Sequence, residues 1–298
     1  MKTPNWFIKK NFIAIILLPL SLLYFFISKL VFIFWSFWQK SSKTPVICVG
    51  GLLAGGVGKT PIVLQIAKKL KSPVIMRGYM GGDEAKMLSE KGVKVFTGNR
   101  KNNINFINKN IKAHTIIMDD GFSNPTIKKD ISVLVFDGKI FNGNGFLLPA
   151  GPMREPLCAI LRSDAIIIIG KNNKIKEKLK KYKKPIFFAE NKNIFPKKLK
   201  KNIIAFAGIG YPSKFFNNLN IKPIKTISFP DHYQYKEQDI KNLLNLAKKN
   251  NADLITTEKD FVRLPNYAQK KIKVVKLETI IEEKFWKFIK EKLNEKIG

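Results

Sequence analysis

A glycine-rich stretch that ends in Gly58-Lys59-Thr60 carries the clearest chemical signal in the chain. It follows a short apolar run, Val46–Val49, and Pro61 stands directly after it. Proline suits the first turn of a helix, where no backbone N–H is needed. Glycines let backbone N–H groups turn inward around phosphate oxygens, and a helix N-terminus adds positive potential. Strand, loop and helix in this order predict a nucleoside triphosphate site.

The side chains of this loop have separate tasks. We expect the side chain of Lys59 to reach the β- and γ-phosphates and the hydroxyl of Thr60 to ligate Mg²⁺. Leu53 occupies the first glycine position of the strict G-x4-G-K-[ST] pattern, so the flexible positions come later in the loop. The predicted nucleotide-binding residues are Gly55, Gly56, Val57, Gly58, Lys59 and Thr60.

Two adjacent carboxylates could complete this site. Asp119-Asp120 follow the apolar run Thr115–Met118 and precede Gly121. Carboxylates at the carboxyl end of a parallel strand face the crevice in which open α/β sheets bind ligands. They could hold Mg²⁺ directly or through water. A turn-forming Asp-Gly pair is the alternative.

Three further segments carry weaker signals. Asp83 follows a glycine pair, Arg154-Glu155 lie between Pro152 and Pro156, and His232 stands beside Asp231. Flanking prolines restrict the backbone and can pre-position a side chain. Taken alone, Asp83 is more typical of a solvated loop and His232 of a structural histidine, whereas the Arg154-Glu155 segment fits a functional role and a structural one equally well.

Short apolar runs rich in β-branched residues recur along the chain and predict strands. These runs are Val46–Val49, Val74–Met76, Val93–Phe96, Thr115–Met118, Ser132–Phe136, Ala165–Ile169, Pro185–Ala189, Ile203–Ala207 and Leu254–Thr257. Helical patterns such as Pro61–Leu70 and 236–250 lie between several of them. The alternation predicts an α/β fold: a P-loop NTPase-like, mostly parallel sheet with helices on both faces. We expect a hydrophobic anchor at 1–40, a P-loop core domain at 41–200 and a smaller C-terminal α/β domain at 201–298.

The N-terminal segment from Trp6 to Trp38 is almost entirely apolar or aromatic. Its purest part, Phe12–Ile27, has 16 residues; as a helix it covers about 24 Å, less than the hydrocarbon core of about 30 Å. The whole segment could span a bilayer with tilt, or form a bent hairpin or an interfacial helix. A cleaved signal peptide is disfavoured because no A-x-A site follows. We predict a retained membrane anchor.

The charge balance is strongly basic, with 54 Lys and Arg against 22 Asp and Glu, or +32. Such an excess favours polyanions, including anionic lipid headgroups. No helix-turn-helix, RNP or zinc pattern supports nucleic-acid binding. Cys48 and Cys158 are too few and too far apart for a disulfide framework or a zinc site, so we expect two buried free thiols.

Several segments occur together and in a fixed order. They are GGLLAGGVGKTP, RGY…GDE, DDGF, FDG…GNGFLLPAGPMREP, AFAGIGYPSKFF, FPDHY and TTEKDFVRL. Together they resemble the tetraacyldisaccharide 4′-kinase family of lipid A biosynthesis. The resemblance runs from the hydrophobic segment to about residue 264, and LLPAGPMREP and FPDHY are its most specific parts.

The resemblance implies transfer of the γ-phosphate of ATP, with Mg²⁺, to the 4′-hydroxyl of a tetraacylated glucosamine disaccharide 1-phosphate. It also implies a peripheral enzyme at the cytoplasmic face of the inner membrane, with a lipid-linked substrate, an anionic leaflet as its surface and no obligate protein or nucleic-acid partner. In this family the nucleotide site lies between a P-loop domain and a smaller α/β domain.

By motif position, the resemblance gives each site residue a role. Asp83 is the base and His232 pairs with it, while Arg154 neutralises charge near the phosphates. The implied metal-site residues are Thr60, Asp119, Asp120 and Glu155.

Two alternatives stay open at this point. A membrane-associated P-loop ATPase of the partition or switch type explains the loop, the DDG segment and the anchor, but it leaves LLPAGPMREP and FPDHY without a purpose. A basic nucleic-acid-binding protein in which GKT has lost its function would show strongly salt-dependent DNA binding.

Overall fold

The computed structural model describes residues 4–55, 57–78 and 82–297. These residues form two compact units, each of which is made of segments that are not consecutive in the chain. The smaller unit comprises 82–87 and 192–278, and the larger unit comprises the remaining described residues. The expected domains at 41–200 and 201–298 are consecutive. The units differ from them because residues 82–87 join the smaller unit and residues 279–297 return to the larger one.

A parallel sheet forms the centre of the larger unit. Its strands are β1 (Val46–Gly50), β2 (Val74–Met76), β3 (Val95–Thr97), β4 (Ile116–Asp119), β5 (Ile131–Asp137), β6 (Ala165–Ile169) and β7 (Ile186–Ile194), of which 192–194 belong to the smaller unit. The strand order is β3-β2-β4-β1-β5-β6-β7. Every residue of β1, β4, β5 and β6 is buried. Strands buried on both faces need continuous apolar runs, which is why the sequence predicted them well.

The helices follow in chain order. They are α1 (Phe12–Ile16), α2 (Leu18–Ser36), α3 (Lys59–Leu70), α4 (Asp83–Glu90), α5 (Arg100–Asn110), α6 (Asn173–Lys180), α7 (Pro212–Phe216), α8 (Glu237–Lys249), α9 (Glu258–Phe261), α10 (Asn266–Gln269) and α11 (Glu283–Ile297), with 3₁₀ turns at Asn5–Phe7 and Leu157–Arg162. The predicted helices at Pro61–Leu70 and 236–250 correspond to α3 and α8.

The C-terminal helix α11 belongs to the larger unit. Phe285 is fully buried, and its ring lies 5.4 Å from the ring of Phe187 on β7. The backbone N–H of Glu282 also donates to the carbonyl of Phe188, at 3.1 Å. These contacts fix the last helix of the chain on a strand of the larger sheet.

The smaller unit has its own parallel sheet and its own core. Its strands are β8 (Asn202–Ala207), β9 (Lys225–Ser228), β10 (Ala252–Thr257) and β11 (Lys273–Ile281), of which 279–281 belong to the larger unit, in the order β11-β10-β8-β9. On α8, Ile240, Leu243 and Ala247 are buried and pack with Phe206 and Leu254. Their spacing of three and four residues places them on one helix face.

The hydrophobic N-terminal segment forms two helices separated at Leu17. Pro19 stands in the first turn of α2, where a missing N–H costs nothing. The helix then continues through Ser28 and Lys29 to Ser36. Ser21 is its one buried residue, and α2 is the helix in the described ranges that is long and apolar enough to cross a membrane.

Candidate active site

The predicted phosphate loop lies between β1 and α3, as its pattern requires. Gly55 and Gly58 have φ angles of 104° and 86°, a region that favours glycine. A Cβ on Gly58 would also lie 2.7 Å from Cδ1 of Ile169. Val57 is only 3% exposed, and its N–H donates to the carbonyl of Gly55 at 3.1 Å; Gly56 lies outside the described residues.

Asp120 joins two basic side chains beside this loop. Nζ of Lys59 lies 3.3 Å from Oδ1 of Asp120, and Nη1 of Arg154 donates to Oδ2 at 2.8 Å. Lys59 is the first residue of α3, whose N-terminus adds positive potential. The result is a group with one negative and two positive side chains, which is suited to phosphate oxygens.

The backbone at Asp120 explains how this carboxylate reaches its partners. Strand β4 ends at Asp119, and Asp120 then adopts a φ of 48°, in the left-handed region. The buried guanidinium of Arg100 donates through Nη2 to the carbonyls of Asp119 and Asp120, at 2.7 and 3.2 Å. These bonds hold the turn in place. Arg100 was not among the predicted residues, and its position at the start of the polar helix α5 gave no signal for it.

The pKa of Asp120 reflects this surrounding. Burial acts to raise the pKa, but the charges and hydrogen bonds of Lys59 and Arg154 outweigh it, so the pKa lies below the ordinary value of 3.8. Asp120 is therefore ionised at neutral pH.

Arg154 is tied to the phosphate loop by its backbone. Its N–H donates to the carbonyl of Leu52 at 2.7 Å, and the N–H of Ala54 donates to the carbonyl of Pro152 at 2.7 Å. Leu53 and Met153 form an antiparallel bridge between the two segments. The LLPAGPMREP segment thus runs alongside the loop, which explains why a restricted, proline-flanked backbone is useful there.

The predicted metal-site residues are oxygen donors near this group. Asp119 and Thr60 are buried, and Glu155 pairs through Oε2 with Arg162 while its buried Oε1 makes no hydrogen bond within the described residues. Over the same residues, no three His, Cys, Asp or Glu side chains form a metal cluster. A Mg²⁺ ion bound by phosphates, water and one or two carboxylates needs no such cluster, so the donor set fits this ion.

The smaller unit holds the other two predicted catalytic residues. Nδ1 of His232 lies 3.2 Å from Oδ2 of Asp83, the first residue of α4. Asp83 is buried, whereas the His232 side chain is 27% exposed and has a φ of 56°. The N–H of His232 bonds to the carbonyl of Gly208, at 3.2 Å, which holds this backbone in place.

A buried arginine, missed by the sequence analysis, completes the group around Asp83. Nε of Arg263 donates to Oδ2 of Asp83 at 2.6 Å, and its Nη1 donates to the carbonyl of Gly208 at 2.8 Å. The side chain of Arg263 is 1% exposed and also pairs with Asp260, 3.2 Å away. The TTEKDFVRL segment contains both Asp260 and Arg263. It supplies the guanidinium that binds Asp83, a role that its pattern did not suggest.

Asp260 is fully buried, and both of its carboxylate oxygens accept hydrogen bonds. It accepts hydrogen bonds from the N–H of Gly208 at 2.9 Å and from the hydroxyl of Tyr235 at 2.8 Å. Its Oδ2 accepts a third bond from the hydroxyl of Thr257 at 2.7 Å. A buried carboxylate held by this many hydrogen bonds has a fixed position, and here it fixes Arg263 against Asp83.

The predicted site residues therefore fall into two groups. Lys59, Asp120 and Arg154 meet in the larger unit, and Asp83 and His232 meet in the smaller one. The first group has the charges to bind a triphosphate, and the second pairs a carboxylate with an imidazole.

The family model for tetraacyldisaccharide-1-P 4′-kinase, LpxK, matches residues 13–294. The chain belongs to this family. The kinase activity and the place in lipid A biosynthesis that the sequence analysis predicted are those of the LpxK family, and those predictions are confirmed. The switch-type ATPase and the nucleic-acid-binding alternative are not supported.

Relatives of the LpxK family cover most of the chain. The tetraacyldisaccharide 4′-kinase of Rickettsia bellii is 36% identical over 88% of this chain and 89% of its own length. That of Rickettsia typhi is 34% identical over 99% of this chain and 97% of its own. The crystal structure of LpxK from Aquifex aeolicus in complex with ATP matches with a TM-score of 0.72 and 26% identity, covering 94% and 99% of the two chains. The predicted fold class is confirmed.

Proposed function

We propose that this chain transfers the γ-phosphate of ATP to the 4′-hydroxyl of tetraacyldisaccharide 1-phosphate, and that Lys59, Arg154, Asp83 and His232 carry the reaction. The observation that carries the proposal is the group of Lys59, Asp120 and Arg154 beside the phosphate loop. The relative from Aquifex aeolicus, whose structure contains ATP, supports the same nucleotide here.

Positioning and charge neutralisation are the main tasks in phosphoryl transfer. Lys59 and Arg154 place two positive charges at the loop, where they offset negative charge on the transferring group. Asp120 holds both side chains at 3.3 and 2.8 Å, so they need no large reorganisation when the nucleotide binds. Thr60, Asp119, Asp120 and Glu155 would supply oxygen atoms for Mg²⁺, which would neutralise phosphate charge.

The acceptor hydroxyl must lose its proton as its oxygen bonds to the γ-phosphorus. The bond from that phosphorus to the bridging oxygen breaks, and ADP leaves. Asp83 takes the proton, and His232, 3.2 Å away, orients the carboxylate. Arg263 holds the same carboxylate oxygen at 2.6 Å and so limits its rotation.

An acylated substrate stays in the bilayer, so the enzyme has to work at its surface. The exposed apolar face of α2 supports attachment of the enzyme to the cytoplasmic face of the inner membrane. The charge of +32 supports a preference for anionic headgroups.

Transfer of labelled γ-phosphate tests the proposed reaction. The assay contains ATP, Mg²⁺ and detergent micelles with tetraacyldisaccharide 1-phosphate. Wild type should form a bis-phosphorylated lipid, and Lys59→Ala should not. Lys68→Ala, which changes an exposed lysine on the same helix, is the matched control and should keep wild-type activity. ATP hydrolysis that ignores the lipid would contradict the proposal.

Flotation with vesicles tests the proposed location. Wild type should float with vesicles of phosphatidylglycerol and phosphatidylethanolamine, and more weakly when phosphatidylglycerol is omitted. Leu23→Glu with Phe26→Glu puts two charges on the exposed face of α2 and should leave the protein in the soluble fraction. Unchanged flotation of this variant would mean that another surface attaches the enzyme.

A further inference from the structure

The hydrophobic helix α2 is bound to the LLPAGPMREP segment by polar contacts. Ser21 is 5% exposed, and its hydroxyl donates to the carbonyl of Leu147 at 2.9 Å and accepts the N–H of Ala150 at 3.0 Å. One turn later, the hydroxyl of Tyr24 donates to the carbonyl of Arg154 at 3.1 Å. An anchor that only attached the enzyme to lipid would need neither bond.

The contact continues along the same face of α2. The guanidinium of Arg162 lies 4.3 Å from the ring centroid of Phe32 and 4.7 Å from that of Phe122, and it pairs with Glu155. Ser21, Tyr24 and Phe32 are spaced by 3 and 8 residues, which places them on one side of the helix. The opposite side exposes large apolar residues, including Leu23, Phe26 and Leu30.

The backbone of Arg154 is consequently held at both of its polar groups. Its N–H is bonded to Leu52 of the phosphate loop at 2.7 Å, and its carbonyl is bonded to Tyr24 of α2. With both groups fixed, the Cα–Cβ bond of Arg154 has a defined direction, and Nη1 reaches Asp120 at 2.8 Å. The hydroxyl of Tyr24 is therefore connected to Asp120 through the backbone and side chain of Arg154.

We propose that Tyr24 is a positioning residue for phosphoryl transfer, which acts by holding the backbone carbonyl of Arg154. The inference rests on the proposed role of Arg154 and adds that α2 is part of the active site as well as the lipid-facing element. Removing the hydroxyl leaves the carbonyl free to turn, and the guanidinium then loses its fixed distance from Asp120.

A double-mutant cycle tests the inference in the mixed-micelle transfer assay. Tyr24→Phe keeps the ring and removes the hydroxyl. It should lower kcat about fivefold, roughly the effect of one hydrogen bond, and leave the KM for ATP and for lipid unchanged. Tyr267→Phe makes the same chemical change at an exposed site and should have no effect. In an Arg154→Ala background, Tyr24→Phe should cause no further loss.

Vesicle flotation and thermal unfolding of Tyr24→Phe separate this role from attachment or folding, and both should match wild type. An equal loss of kcat in both backgrounds would overturn the inference, as would a loss that parallels weaker flotation or a lower Tm. If Tyr24→Phe keeps wild-type kcat while Arg154→Ala is inactive, the inference is wrong but the proposed role of Arg154 stands. A fully active Arg154→Ala would overturn both the inference and the proposed role of Arg154.

Discussion

Nδ1 of His232 lies 3.2 Å from Oδ2 of Asp83, although 149 residues separate the two in the chain. Asp83 starts a helix and His232 lies in a loop with a left-handed backbone, so two unrelated local structures meet at one carboxylate. Arg263 reaches the same oxygen from a third segment. This convergence of polar groups on one buried carboxylate is what a positioned proton acceptor requires.

Asp83→Asn should lower kcat by roughly a hundred- to ten-thousand-fold, the range for loss of a general base. The KM for ATP should stay unchanged, because the amide keeps the size of the side chain and the nucleotide loop lies elsewhere in the chain. Steady-state kinetics in mixed micelles measures both. Glu90→Gln, at the exposed end of the same helix, is the control. A kcat within a few-fold of wild type would remove Asp83 from the mechanism.

Arg263→Ala should lower the free energy of unfolding by about 3 to 5 kcal/mol, because it leaves buried carboxylates without their partner. Asp260 is 0% exposed and cannot recover its lost partner from water. Chemical denaturation followed by circular dichroism measures the change. Lys241→Ala, which removes an exposed ion pair with Glu237, should leave the unfolding midpoint unchanged. Equal unfolding midpoints for the two variants would contradict the stabilising role of Arg263.

The stability of the protein should depend on Asp120 in acid. Its pKa is lowered in the folded state from the ordinary value of 3.8, so its contribution is present above about pH 4 and is lost as pH falls further. The difference in unfolding free energy between wild type and Asp120→Asn should shrink between pH 5 and pH 3. Urea titrations at several pH values test this, with Glu237→Gln as the exposed control. A difference that does not change with pH would contradict the assigned ion pairs.

The two cysteines should differ sharply in reactivity. Burial raises the pKa of the Cys48 thiol to about 11, while Lys129 and Arg100 only partly oppose it. The thiolate is the reactive form, so iodoacetamide at pH 8 should not label Cys48 in the folded protein. It should label Cys158, which is exposed. Mass spectrometry of native and unfolded protein measures both sites. Native labelling of Cys48 would mean that the β1 region opens readily.

The expectation of two buried thiols was wrong for Cys158. The apolar surroundings of this residue suggested burial, but the 3₁₀ turn at Leu157–Arg162 directs Ala159 and Ile160 inward and Cys158 outward. A short apolar run predicts burial only when its secondary structure is known. Cys48 is buried as expected, because it lies in a strand that is covered on both faces.

Local patterns predicted the strands and the phosphate loop because each lies within a short continuous segment. They did not predict β9, which is mostly exposed, or β11, in which the exposed residues Lys276, Glu278 and Ile280 alternate with more buried ones. Residue contacts over long separations also gave no signal. The bonds from Arg263 to Asp83 and from Tyr24 to Arg154 join residues 180 and 130 positions apart. The pairing of Asp83 with His232 was expected from the family resemblance alone.

The interleaving of the two units sets the order in which the enzyme can assemble during synthesis. Asp83 leaves the ribosome 149 residues before His232 and 180 residues before Arg263. At roughly 5–20 residues per second, Arg263 follows about ten to thirty-five seconds later. The larger unit also waits, because its helix α11 is made after every strand of the smaller unit. A growing chain therefore carries Lys59 and Asp120 well before it can hold a proton acceptor in place.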